Sequence, residues 1–207
     1  MTDLVPHWLH SVQEASAQGD LPAAGADLLG RWAEPHRRYH GLDHLAAVLA
    51  RVDELADETS DATAVRLAAW FHDAVYDPTA PDNEERSALL ASETLQALHV
   101  DKRRVDEVAR LVRLTRTHDP LPRDTNGAVL CDADLAVLAA TAQDYERYVA
   151  EIRAEYAHLD DATFRSGRSA VLRSLLDRPT LFRTAHGRTA WEVAARTNIQ
   201  RELAHYS

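Results

Sequence analysis

Apolar residues return every three or four positions along almost the whole chain, and nowhere alternate one by one over a useful length. That spacing puts them on one side of a helix, so the chain must bury itself helix against helix. Leu4, Trp8, Leu9 and Val12 mark a first helix ending near Gly19, and Pro22 opens a second through Leu28, Leu29 and Trp32. Asp43 is placed to cap a third, with Leu45, Val48, Leu49, Val52 and Leu55 on one face. Asp61 is placed to cap a fourth, through Val65, Leu67, Ala68, Trp70 and Phe71; it is apolar on most sides and is expected at the centre. Further helical stretches cover Glu84 to Leu98, Val105 to Thr115, Val129 to Leu138, Tyr145 to Tyr156 and Phe164 to Leu176. Thr189 and Glu192 have the spacing of a capping box for a last helix. With 207 residues, 7 glycines and 8 prolines, residues 1–207 read as one all-α domain of about ten helices.

The net charge of −10 argues against a protein that grips polymeric nucleic acid through its phosphates. A small anionic substrate remains compatible, because a metal ion or a few arginines make a local positive site. Cys131 is the only cysteine, so neither an intrachain disulfide nor a four-cysteine zinc site can form. Residues 1–19 lack the pattern of a signal peptide, and no stretch has the length of a membrane span. A cytoplasmic protein is expected, and a homo-oligomer is compatible with the sequence.

Three segments carry chemistry. In Ala68 to Asp77 a hydrophobic helix runs into adjacent His72 and Asp73. Burying that carboxylate is costly without compensation, and a cation supplies it; a solvated helix end is the simpler alternative. Asp132 and Asp134 interrupt an apolar run, and residues two apart on a helix face different ways, so one should face the core side. Both would also suit a helix start. His40 and His44 are four apart, a spacing that aligns two rings if the segment is helical. Two imidazoles and two carboxylates suit Mn, Fe, Co, Ni or Zn and leave coordination positions open.

The order His44, then His72-Asp73, then an aspartate at 132–134 resembles the signature of the HD superfamily of metal-dependent phosphohydrolases. The likeness extends to Tyr39-His40, Phe71 to Asp77, Asp82-Asn83-Glu84 with Ser87, Thr115 with His118, and Asp132-Ala133-Asp134-Leu135. It continues through Tyr145, Arg153 to Tyr156, Gly167-Arg168 and Asn198 with Glu202, and so covers nearly the whole chain. The resemblance implies an all-α fold with a divalent metal (Mn, Fe, Co, Ni, Zn or Mg) held by His44, His72, Asp73 and Asp134. Asp132 competes for the last place. It also implies hydrolysis of a nucleotide or other small phosphate ester.

In that reading Asp73 both ligates the ion and orients water, and Glu84 is the candidate general base, although a first-turn acid also suits a helix dipole. Asp77 is either a site carboxylate or a loop cap. Arg37, Arg38 and Arg168 are candidates for holding phosphate oxygens. His40 and His118 would contact substrate or hold a second metal. Two other functions stay open: a di-iron oxidase or oxygenase on the same scaffold, and a non-enzymatic regulatory domain that binds a metal or ligand.

Overall fold

The computed structural model describes residues 3–206, and ten α-helices account for most of them. They are α1 (Val5–Glu14), α2 (Leu21–Trp32), α3 (Leu42–Glu54), α4 (Ala62–Phe71), α5 (Asn83–Ala97), α6 (Lys102–Leu114), α7 (Thr125–Leu135), α8 (Ala142–Glu155), α9 (Asp161–Leu176) and α10 (Glu192–His205). No strand occurs among the described residues, so the all-α expectation holds.

Several helix starts follow from local chemistry. Asp20, Asp61, Asp101, Asp124 and Asp160 each accept a hydrogen bond from a first-turn amide, which satisfies a donor the helix itself leaves free. Three starts or stops differ from the sequence expectation. α1 stops at Glu14, and Gly19 instead supplies a φ of 104° in the turn that follows. α3 begins after Gly41 in extended conformation, so Asp43 lies in the first turn rather than at the cap. Thr189 does not cap α10: its hydroxyl donates to the Ala185 carbonyl, 2.9 Å away, inside a wide π-helical turn over Gly187–Trp191. Glu192 turns elsewhere too, accepting the amides of Leu181 and Phe182.

α4 is the axis of the core. Seven of its residues are buried, Ala64, Val65 and Leu67 to Phe71, and it packs against α1, α3, α5, α6 and α7. Trp8 meets Trp70 edge-on at 5.4 Å, and the Trp32 indole donates to the Trp70 carbonyl at 3.0 Å. Removing so many apolar side chains from water fixes where α4 ends, and therefore where His72 and Asp73 stand. α3 and α7 lie against the same helix and bring up their own polar residues at that end.

Candidate metal centre

His44 sits in the first turn of α3, on the face that also buries Leu45 and Val48. His72 follows the last residue of α4 and is 1% exposed. Its Nδ1 donates to the Ala69 carbonyl at 2.9 Å, which turns Nε2 toward the other side chains and makes it the nitrogen able to ligate once the ring is neutral. That Nε2 lies 3.2 Å from His44 Nε2, 3.3 Å from Asp73 Oδ2 and 3.6 Å from Asp134 Oδ1. His44 Nε2 is 3.1 Å from Asp134 Oδ1 and 4.0 Å from Asp73 Oδ2. One atom each from His44, His72 and Asp134 falls within a 4.8 Å span. Two imidazole nitrogens facing each other and two carboxylates satisfy one another poorly by hydrogen bonds alone. They suit a cation of the nitrogen-and-oxygen-binding class.

The electrostatics follow from this crowding. Burial resists ionisation of Asp73, but the neighbouring His72 outweighs it and holds the carboxyl below its ordinary range. Asp134 is likewise held low against burial, by His72 and by hydrogen bonds from His118 and His44. Burial would lower His72, yet Asp73 and Asp134 raise it well above its ordinary value. His44 goes the other way: burial lowers it, and the bond to Asp134 only partly offsets that. The centre therefore keeps both carboxylates ionised and His44 neutral, while His72 carries a proton that an incoming cation would have to displace.

The surrounding residues orient these four. His118, just past α6, has a φ of 47° and contacts Asp134 Oδ2 through Nε2 at 2.7 Å. The Arg37 side chain is 1% exposed and donates to the carbonyls of His40, Asp73 and Ala74. Arg37 therefore ties the two histidine-bearing segments together, its guanidinium spent on those carbonyls and on Glu34. Arg168 is also committed: its guanidinium pairs with Glu202 at 2.8 Å and reaches the Tyr148 hydroxyl at 3.0 Å. Arg38 is exposed, and its amide, like those of Tyr39 and His40, donates to Glu155 Oε1.

Asp132 faces away from the centre. It is fully buried and accepts from the amides of Arg183 and Thr184 and from the Thr184 hydroxyl, at 2.6–2.9 Å. Asp132 clasps the segment before α10, and Asp134 alone of the two joins the histidines. Asp77 is a loop cap, bonded to the amide and hydroxyl of Thr79. Glu84 lies in the first turn of α5 and lines a cavity of about 330 Å³ together with Asp73, Asp134, His40 and His118.

Glu155 had no assigned role in the sequence reading. Its side chain is completely buried, and besides three amides it takes His40 Nδ1 at 2.6 Å and the Tyr76 hydroxyl at 3.0 Å. Burial opposes its ionisation, but His40 and the amides bring its carboxyl down to about 2. In return Glu155 raises His40 above its ordinary value despite burial. A glutamate inside the Tyr145–Tyr156 apolar stripe was the available signal, since such a position must be paired. Arg116 was also overlooked. It is exposed, lines the 330 Å³ cavity, and has no carboxylate partner among the described residues.

Two larger cavities meet the same cluster. One, about 1010 Å³, is bounded by Arg38, Tyr39, His44, Tyr148 and Trp191; the other, about 730 Å³, by His40, His118, Asp134, Arg168 and Phe164. No helix among the described residues is long and apolar enough to cross a membrane. No protein-family model, curated protein or solved structure matches the chain.

Proposed function

We propose that the chain is a metal-dependent phosphohydrolase acting on a nucleotide or other small phosphate ester. The observation that carries the reading is the convergence of His44, His72, Asp73 and Asp134 beside a cavity that also holds an uncommitted acid and an uncommitted arginine. The four side chains would hold one divalent ion, with cavity space left beside them for substrate. When bound, such an ion supplies Lewis acidity and makes water a better nucleophile at neutral pH.

The protein's own groups do the rest. Asp73 and Asp134 enter ionised, because the histidines hold their protons off. His118 fixes the rotamer of Asp134 through its second oxygen, and the Ala69 carbonyl fixes the ring of His72. Glu84 faces the same space and accepts the proton of the attacking water. Arg116 receives the phosphate oxygens, a task its planar fork suits and which no internal carboxylate competes for. His40, locked by Glu155, lines the substrate space rather than turning freely in it.

The test is phosphate release from a panel of phosphate esters and nucleotides, with the protein loaded in turn with Mn, Fe, Co, Ni, Zn and Mg. At least one ion is expected to give turnover, and Asp73→Ala to reduce it by more than about a hundredfold, exceeding the loss typical of an outer contact. If no ion yields release that depends on Asp73, the hydrolase reading fails.

A further inference from the structure

Resting on that reading, we infer that the substrate is a phosphate ester with an apolar body, and that the body lies in the 730 Å³ cavity between the end of α7, α8 and α9. The cavity shares His40, Arg116, His118, Asp134 and Tyr156 with the 330 Å³ cavity beside the cluster, so a single molecule can reach into both. Its volume is that of a small-molecule site.

The walls are apolar. Leu135, Val137, Leu138, Ile152, Phe164 and Leu175 line it, and Leu135 and Val137 are only half-buried although they belong to the core side of the chain. Apolar surface left wet in this way gains by meeting an apolar ligand. In a protein of net charge −10, Asp134, which belongs to the cluster, is the only acidic residue among the described residues lining this cavity. The 1010 Å³ cavity is different, with Glu34, Asp43, Asp144 and Glu151 on its walls.

Cations stand where the phosphate would sit. Arg116 lies at the junction of the two confluent cavities. Arg178 flanks it, with its guanidinium given only to neutral carbonyls, those of His118 at 2.7 Å and Thr117 at 2.8 Å. An anionic head at the junction and an apolar tail along α8 and α9 match this division of charge.

The experiment measures binding of ethylphosphonate and octylphosphonate by calorimetry, with manganese and again without it. Each buried methylene is worth about fourfold in affinity, and with part of the tail left wet the octyl compound should bind about a hundredfold more tightly than the ethyl compound. Val171 is 54% exposed on the cavity rim, and Val171→Glu places a carboxylate there on a helix that tolerates it; the octyl-to-ethyl ratio is expected to collapse toward one. Equal affinity for the two phosphonates in the native protein overturns the inference, as does tighter binding of adenosine monophosphate than of octylphosphonate. Turnover of ethyl and octyl phosphate is read separately: chain-length-dependent binding without any hydrolysis removes the phosphohydrolase and leaves the ligand class standing.

Discussion

Asp132 and Asp134 stand two residues apart on α7, chemically identical, and the fold sends them to opposite work. Asp132 points into the protein, where burial pushes its carboxyl up in spite of the bonds from Thr184 and Arg183. Asp134 points to the cavity wall among histidines, and its carboxyl is held well down against the same burial. Amides and a hydroxyl surround the first, imidazoles the second. A buried carboxylate met by fixed dipoles becomes a structural clasp, while one met by titratable rings becomes part of a charged, exchangeable set.

The sharpest way to break this contrast is to truncate each in turn. Asp134→Ala is expected to weaken divalent-ion uptake, read by titration calorimetry, by more than about a hundredfold, beyond what loss of a mere supporting contact does. Asp132→Ala should leave uptake intact in the folded protein and instead cost about 3 kcal/mol of stability in denaturant unfolding, because the amides of Arg183 and Thr184 lose their acceptor. If both variants change the same quantity, the division of labour is wrong.

Glu155 combines the two environments, having amides on one oxygen and an imidazole on the other, and so tests the rule between its extremes. Glu155→Gln is expected to cost about 2 kcal/mol, the scale of a lost charge-assisted bond, and to lower the His40 pKa followed by NMR. The pH dependence has a definite sign. The folded pKa of Glu155 is about 2 against an ordinary 4.5, so its contribution is whole above 4.5 and is lost as pH falls toward 2. His40 is raised, so its contribution is whole below 6.5 and fades as pH climbs through its folded pKa. The acid limb of the stability curve should therefore flatten in Glu155→Gln.

Gly187 probes the clasp by crowding it, with none of its bonds removed. A Cβ there would stand 2.7 Å from Phe182 Cβ and 2.8 Å from both Asp132 Oδ2 and Thr184 Oγ1, against the clasp. Gly187→Ala should cost about 1–3 kcal/mol in thermal unfolding, as overpacking does, with ion uptake unchanged.

The helical periodicity made the fold legible, and α4 showed most clearly, because a helix apolar on most sides has no alternative to the centre. The ends of helices were less so. Asp43 and Thr189 have capping chemistry, but backbone geometry at Gly41 and the π-helical turn before α10 took the positions they would have filled. Adjacent His72 and Asp73 pointed to a site, whereas the choice between Asp132 and Asp134 depended on the helix's rotation, set by packing partners remote in sequence. Arg37 and Arg168 show the same limit: an arginine's type is written in the chain, but its acceptors, the Asp73 and Ala74 carbonyls or Glu202, are brought to it only by folding.

Because α4 is enclosed by five neighbouring helices, amide protons in its last turn, from Ala68 to His72, should exchange with deuterium only through global unfolding. The edge that carries His72 therefore belongs to the least breathing part of the molecule, whereas Val171 on α9 lies on a wetter wall. Change of ligand preference, by selection or by design, has its easiest path through α8 and α9, and replacement along α4 would disturb the whole molecule first.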